Sequence, residues 1–503
     1  MEFGSRFWVV AALSLGPAVA NSFARFAYAL LLPAMRAELS LNYSQAGSLN
    51  TANALGYLAG ALLTMGYVSR LGNRRLFCVG MVVTVLALVG SGLAGGFIAQ
   101  LCLRAVAGIG GAMVFVSGAV LASNVYSNRP ELSSSAIAVY FGGAGAGILL
   151  SGVGIPWLLA VAGDDAWRTA WLAIGGVSAA FAVLGIWAAR QIREPSSGAA
   201  KSPWQMRTFQ ATLGSYFLFG VGYIAYMTFV VAWMVSHGAS ALDVALTWGT
   251  LGIATMLAPI GWRLPRARWY PAKVLAAVGV ILSVGAAMPL VSTSLPAMIL
   301  SALFFGAAMF TAPTAVTDLV KTSLPRTAWG PAVATFTVVF AIGQAIGPVL
   351  SGWLADATQS LYAGLAGSVA ILLTASAAAM CQRESKDRPN HNPAFKEIQM
   401  EKRNVNVVLH LARPSVGNDI RSLIHDLTRL AGVAHVAPGS RVSNLLRIDY
   451  DPARISMRTL LARARRGWSL VRGIGTQGRE AISRHAHAVK SLGGSAVLPP
   501  KPQ

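Results

Sequence analysis

Long apolar stretches broken by short polar connections occupy the chain from Phe7 to Met380. A helix needs about 20 largely apolar residues to cross a hydrocarbon core. With the polar breaks as punctuation, that length predicts twelve spans, at 7–32, 45–69, 76–95, 99–125, 134–161, 167–190, 208–236, 242–264, 271–292, 295–319, 328–355 and 361–380. The longest connection among them, 191–207, is rich in Pro, Ser, Gly and Lys and divides the spans six and six. Two packed half-bundles are built that way. The expected organisation is an N-terminal six-helix half (1–190), a central cytoplasmic loop (191–207) and a C-terminal six-helix half (208–382).

Beyond Met380 the pattern changes. Residues 383–403 read as a polar linker, 405–411 as a strand and 419–430 as a helix; 432–436 and 445–450 are again strand-like, 456–466 is a basic helix, and 468–471 opens a last strand. The order βαββαβ is that of a ferredoxin-like module, expected over 404–476. Residues 477–503 carry no pattern and read as a disordered tail. The expected fold class is an all-α polytopic membrane protein of twelve helices, followed by a small cytoplasmic α+β domain.

Composition agrees with a membrane chain. Of 503 residues, 55% are hydrophobic and 12% charged, with mean hydropathy +0.57, against about a quarter charged in soluble domains. The 52 Gly and 23 Pro would punctuate a soluble fold badly but are tolerated where neighbouring helices re-satisfy the backbone. Cys78, Cys102 and Cys381 show no metal-ligand spacing, so neither a disulfide framework nor a zinc site is expected. The first apolar run lacks a small-residue cleavage site and continues through Leu32, so no cleavable signal peptide is expected.

Loop charge sets the expected orientation. With the N-terminus in the cytoplasm, Arg70, Arg74, Arg75, Arg190, Arg193, Arg263, Arg266 and Arg268 fall inside with most other loop cations, while Arg36 and Arg168 fall outside. The positive-inside rule then places both termini in the cytoplasm of a bacterial-type inner membrane. From Arg383 onward there are 21 Lys/Arg against 9 Asp/Glu, a net of +12, which favours anionic lipid headgroups as a partner. No nucleic-acid partner is expected, because no recognition motif accompanies the charge.

Arg25 and Arg104 lie inside apolar runs. A guanidinium at the centre of a membrane helix costs about 2.5–3.5 kcal/mol on insertion scales, and such residues face a bundle interior or watery cavity and mark solute or ion paths. Asp318 is the sole carboxylate near bilayer depth, close to a predicted span end. Two cations without an acid favour an anionic or zwitterionic small-molecule solute over a lipophilic cation. Tyr28, Asn53, Tyr223, Tyr226 and Gln344 are the candidate lining residues beside them; Asn50 and Tyr57 of the second span could share the cavity with Arg25, packing being slightly favoured for Tyr57. No P-loop, nucleophile–base pair or metal cluster is present, so no enzyme activity, cofactor or ATP-driven transport is expected. A proton is the candidate coupling ion.

Leu101, Arg104, Gly108, Gly110 and Ala112 resemble the L-x-x-R-x-x-x-G-x-G-x-A signature of the major facilitator superfamily. Phe23-Ala24-Arg25-Phe26, Tyr28, Leu30-Leu31-Leu32-Pro33 and Met35 resemble its YbfB/YjiJ-type branch. The resemblance implies a twelve-helix major facilitator fold, secondary transport by alternating access, and a role for Arg104 in solute binding or proton coupling. The run from Gly66 through Gly72 to Arg74 and Arg75 resembles the short cytoplasmic motif G-x-x-x-D-R-x-G-R-[KR], with Ser69 in place of its acidic residue. The fifth-span glycines, together with Gly347 and Pro348 in the eleventh, are expected to serve helix packing.

Leu430-Ala431-Gly432-Val433 and Tyr450-Asp451-Pro452-Ala453-Arg454 resemble heavy-metal-associated domains. Val416 and Asp419 occupy the two cysteine positions, so the module resembles a relative without its CxxC metal site. A membrane sensor with a cytoplasmic output module therefore stands beside the transporter reading, and a metal exporter is a third.

Overall fold

The computed structural model describes residues 2–126, 130–192, 206–324, 328–382, 405–411, 418–438, 445–450, 455–456, 459–460 and 471–475. The linker expected at 383–403, the tail at 477–503, and most of the central loop and second module helix lie outside the described residues. The chain divides into two units, Met1–Asp387 and Arg388–Gln503.

The first unit is all-helical. It opens with α1 (Glu2–Pro17), a π-helix (Ala18–Phe26) and α2 (Ala27–Glu38), which together make one crossing. Then come α3 (Tyr43–Leu93), α4 (Phe97–Asn124), α5 (Pro130–Ala162), α6 (Trp167–Arg190), α7 (Gln210–Ser236) and α8 (Ala241–Gly261). A short α9 (Arg263–Arg268) precedes α10 (Pro271–Val291), α11 (Leu295–Met309), α12 (Thr311–Ser323), α13 (Trp329–Thr358) and α14 (Leu361–Met380). Among the described residues, eleven helical stretches are long and apolar enough to cross a membrane.

One stretch counts twice. The 51 residues of α3 would extend about 75 Å at 1.5 Å per residue, more than two hydrocarbon thicknesses. Gly72 breaks it, with φ 76° and ψ 159°, a left-handed conformation in which a Cβ would be strained. The two spans expected at 45–69 and 76–95 are thus two arms of one helical stretch. The tenth span, expected unbroken at 295–319, is instead divided between α11 and α12 at Phe310.

Capping starts the crossings. Asn42 Oδ1 accepts Gln45 N–H at 2.8 Å while Asn42 N–H donates to Gln45 Oε1 at 3.0 Å, a reciprocal box at the head of α3. Ser240 and Asp243 repeat it at α8. Gly238, at φ 80°, provides the turn between α7 and α8.

Contacts between the halves fall on equivalent helices. The fifth crossing (α5) packs on the eighth (α8), and the eleventh (α13) on the second (the first arm of α3). Exchanging the halves turns the fifth crossing into the eleventh and the eighth into the second, so the first pair maps onto the second, the pattern of a pseudo-symmetric repeat. Small residues permit these approaches: a Cβ at Gly145 would meet Gly252 and Met256, one at Gly47 the Pro348 carbonyl, and one at Gly352 the Tyr43 carbonyl.

The second unit is a four-stranded antiparallel sheet with a helix. In chain order it holds β1 (Val405–Leu411), α15 (Asn418–Thr428), β2 (Val433–Pro438), β3 (Leu445–Tyr450) and β4 (Val471–Gly475). The strand order is β2-β3-β1-β4. Leu423 and Leu427 of α15 pack with Val436, Leu446, Ile448 and Tyr450.

Candidate functional site

The chemistry of the bundle centres on the π-helix of the first crossing. A π-helix closes i→i+5 bonds and leaves carbonyls out of register where it rejoins an α-helix. Here Ala27 N–H donates to the Ser22 carbonyl. Two later carbonyls of the same stretch accept from Arg104 of α4, which donates from Nη1 to Ala24 O at 2.6 Å and from Nη2 to Arg25 O at 3.3 Å. Nη2 also reaches Asn50 Oδ1 at 3.3 Å. Asn53 Nδ2 completes the tie, donating to Ala24 O at 3.3 Å and Arg104 O at 3.1 Å. Gly108 sits where a Cβ would strike the Asn53 carbonyl, and Gly110 where one would meet Thr84 and Gly80, so α4 can lie close against α3.

Arg104 is 1% exposed, with its guanidinium 4.7 Å from the Tyr28 ring centroid and 5.7 Å from that of Trp171. Tyr28 Oη donates to Ala46 O at 2.7 Å. Arg104, Tyr28 and Asn53, all predicted to line a solute site, are thus committed to holding the first crossing against the second and fourth.

Arg25 differs. It is 4% exposed, and its Nε and Nη2 are buried without a hydrogen-bond partner among the described residues. Its guanidinium carbon lies 5.5 Å from the Tyr57 ring centroid, and its charge acts on both the Tyr57 and Tyr223 hydroxyls. It also acts on Arg104, so two cations share this region. Among the described residues from Phe7 to Met380 every carboxylate falls in a loop or near a helix end. Asp318 is paired with Arg266 at 2.9 Å, Glu38 with Arg168 at 2.6 Å, and Asp356 with backbone at the start of α3. A buried charge normally has a counter-ion; Arg25 has none here.

In the second half, Gln344 of α13 donates to the Tyr223 hydroxyl, and Gln344 Oε1 is buried without a partner among the described residues. Tyr226 is separate. Its hydroxyl bonds Ser301 Oγ at 2.6 Å and its ring stacks on Phe305 at 4.1 Å, facing α10 and α11. Asn50 Nδ2 donates to Thr228 Oγ1 at 2.6 Å and joins the halves beside Arg104. Gly347 faces the Val221 carbonyl and Pro348 faces Gly47; Gly72 makes the α3 break, with Arg74 just beyond it.

Two groups of aromatic rings, of which the sequence-based set held only Tyr223, pack within the bundle. Tyr216, Phe219, Tyr223 and Phe340 stack with interplanar angles of 3–14°. Positions 216, 219 and 223 follow i, i+3, i+7 spacing, a single helix face that was readable. On the other half, Tyr57, Phe115, Phe141 and Tyr140 form a tilted chain. Tyr57, for which packing was slightly favoured over a place in the cavity, lies 5.5 Å from the Arg25 guanidinium. Among the described residues no group of three or more His, Cys, Asp or Glu could hold a metal ion.

Comparison with known proteins decides the family. Residues 17–380 match the family model described as "Uncharacterised MFS-type transporter YbfB". The chain belongs to this MFS-type transporter family. Among curated relatives, the MFS-type transporter YcaD of Salmonella arizonae is 32% identical over 122 residues, covering 24% of this chain and 32% of that protein. YcaD of Escherichia fergusonii is 31% identical over 140 residues, 26% of this chain and 37% of that protein. The match thus spans about a third of the length of these relatives. A solved bacterial homolog of the human lysosomal transporter Spinster, inward-facing and occupied, has TM-score 0.60 at 19% identity and covers 76% of this chain and 98% of its own. The nucleoside transporter NupG has TM-score 0.59 at 10% identity, covering 75% and 100%. These structures share the major facilitator fold with the helical unit, which makes this member of the YbfB family a multi-pass membrane protein.

Proposed function

We propose that the protein is a secondary transporter that carries a small organic anion or zwitterion by alternating access. The observation that carries this reading is Arg25: a permanent cation, buried in the first crossing, with no counter-ion among the described residues, with Tyr57 5.5 Å away and Tyr223 within reach of its charge. A solute carboxylate would supply the missing charge. The pseudo-symmetric halves supply the rocking elements, and the α3–α13 and α5–α8 contacts are the surfaces on which they would move.

The reading includes an orientation. The loop cations put the Gly72 end of the bundle in the cytoplasm, with both termini on that side of an inner membrane. The Tyr43 end, where Gly47 and Gly352 let α3 and α13 close together, is then the outer end, and the conformation faces inward. A proton is the proposed coupling ion, because a secondary transporter draws on a gradient and the chain carries no nucleotide motif.

The C-terminal unit belongs to this proposal as a ferredoxin-like module. Its strand order β2-β3-β1-β4, all antiparallel, with a helix between β1 and β2, is what that fold requires. The module also favours a second reading, in which the bundle senses a ligand and the module reports it. Flux separates the two. Purified protein in proteoliposomes under an imposed pH gradient should accumulate a labelled organic anion, and Arg25→Gln should abolish uptake. Binding without uptake under any gradient would favour the sensor.

A further inference from the structure

The charge at Arg25 calls for an anion, and its surroundings say what the rest of that anion is. The two unpartnered atoms, Nε and Nη2, are neighbours on one edge of the guanidinium. That edge presents two parallel N–H donors, the spacing that matches both oxygens of a carboxylate. The Tyr57 ring lies 5.5 Å from this guanidinium and Tyr223 is within reach of its charge, and each belongs to a group of stacked or tilted rings. The second half contributes the near-parallel set of Tyr216, Phe219, Tyr223 and Phe340, with centroids 4.7–5.8 Å apart. The first half contributes Tyr57, Phe115 and Phe141.

Parallel rings present flat faces, and a flat face selects a planar guest by offset stacking. Phe115, Phe141 and Phe340 retain partial exposure, whereas Tyr216, Phe219 and Tyr223 are buried. The accessible part of this aromatic lining therefore lies on both halves.

We infer that the solute is a planar aromatic carboxylate, its carboxylate on the Nε–Nη2 edge of Arg25 and its ring between the Tyr57 and Tyr223–Phe340 aromatic groups. The inference rests on the transport reading for the word solute, but binding tests it independently.

The test uses the purified full-length chain in detergent and equilibrium dialysis. The aromatic carboxylates benzoate, phenylacetate and indole-3-acetate are compared with cyclohexanecarboxylate, which keeps the charge and loses the π face, and with benzamide, which does the reverse. At least one aromatic carboxylate should bind ten-fold or more tightly than both controls. Arg25→Gln should remove that preference over benzamide, and Tyr223→Leu that over cyclohexanecarboxylate. Thermal unfolding of each variant separates loss of binding from loss of fold, and Tyr223→Phe, which keeps the ring, should retain binding. Equal binding of the aromatic and alicyclic acids would overturn the inference, as would undiminished binding by a folded Arg25→Gln. Uptake of an aliphatic anion without affinity for any of the three aromatic acids would overturn the inference and leave transport standing. Aromatic-acid binding without uptake would do the opposite.

Discussion

Asp356 accepts both the backbone N–H and the hydroxyl of Ser44, at 2.8 and 2.6 Å, across the interface between the two halves. A second carboxylate oxygen takes Tyr43 N–H at 2.9 Å. The last turn of α13 thus caps the first turn of α3, whose unsatisfied N–H groups carry partial positive charge. Arg36 lies 3.9 Å over the Tyr43 ring and closes the same corner. At the Gly72 end Ser69 stands where the family's short cytoplasmic motif has an acidic residue. A charge–helix lock is thus present at the Tyr43 end of the bundle.

Asp356→Asn should therefore favour opening at the Tyr43 end. A charge at a partly buried helix start contributes up to about 2 kcal/mol, which corresponds to more than a ten-fold shift between conformations. Labelling of a cysteine placed at Thr51, whose hydroxyl bonds Ala345 O across this interface at 2.6 Å, should rise accordingly. Unchanged labelling would show that apolar packing alone keeps this end closed.

Arg104→Lys and Arg25→Lys should part company. Lysine keeps the charge at both sites but loses the planar fork. At 104 it cannot serve Ala24 O, Arg25 O and Asn50 Oδ1 together, and each buried group left unpaired costs about 1–3 kcal/mol. A fall in thermal midpoint is expected for Arg104→Lys. Arg25→Lys removes no hydrogen bond among the described residues, so the midpoint should hold while solute affinity falls. Equal midpoints for the two variants would contradict the division of labour between these arginines.

Tyr226→Phe should leave solute binding intact. Its hydroxyl bonds Ser301, which already donates to Gly285 O at 2.6 Å, so one neutral hydrogen bond worth about 0.5–1.5 kcal/mol is lost. Affinity equal to that of the unaltered protein, with a slightly lower thermal midpoint, is the expected result. A ten-fold loss of affinity would return Tyr226 to the site.

The crossings were legible because membrane thickness dictates their length, and the arginines because charge in an apolar run is conspicuous. What each arginine does was not legible. The π-helix at 18–26 has no sequence signature, yet the carbonyls of Ala24 and Arg25 near its end are what engage Arg104. Packing was slightly favoured for Tyr57 because spacing alone does not reveal that Arg25 lies over its ring. Tyr223 and Tyr226 looked alike three residues apart, but one faces α13 and Gln344 while the other faces α11 and Ser301. The aromatic face at 216, 219 and 223 was readable from its period and was passed over for polar residues.

Gly47 and Gly352 test whether the halves rock. At each, a Cβ would strike backbone of the opposing helix: the Pro348 carbonyl for Gly47 and the Tyr43 carbonyl for Gly352. A backbone obstacle cannot turn aside as a side chain can, so α3 and α13 must separate by roughly the depth of the added group. Gly352→Leu should therefore hold the Tyr43 end open without unfolding either half, since that glycine faces the partner helix. With Cys78, Cys102 and Cys381 replaced by serine, a single cysteine at Thr51 should become reactive from the Tyr43 side. Uptake should fall while the thermal midpoint moves by only a few degrees. Retained uptake in the folded Gly352→Leu variant would mean that closure of α3 on α13 is not part of the cycle.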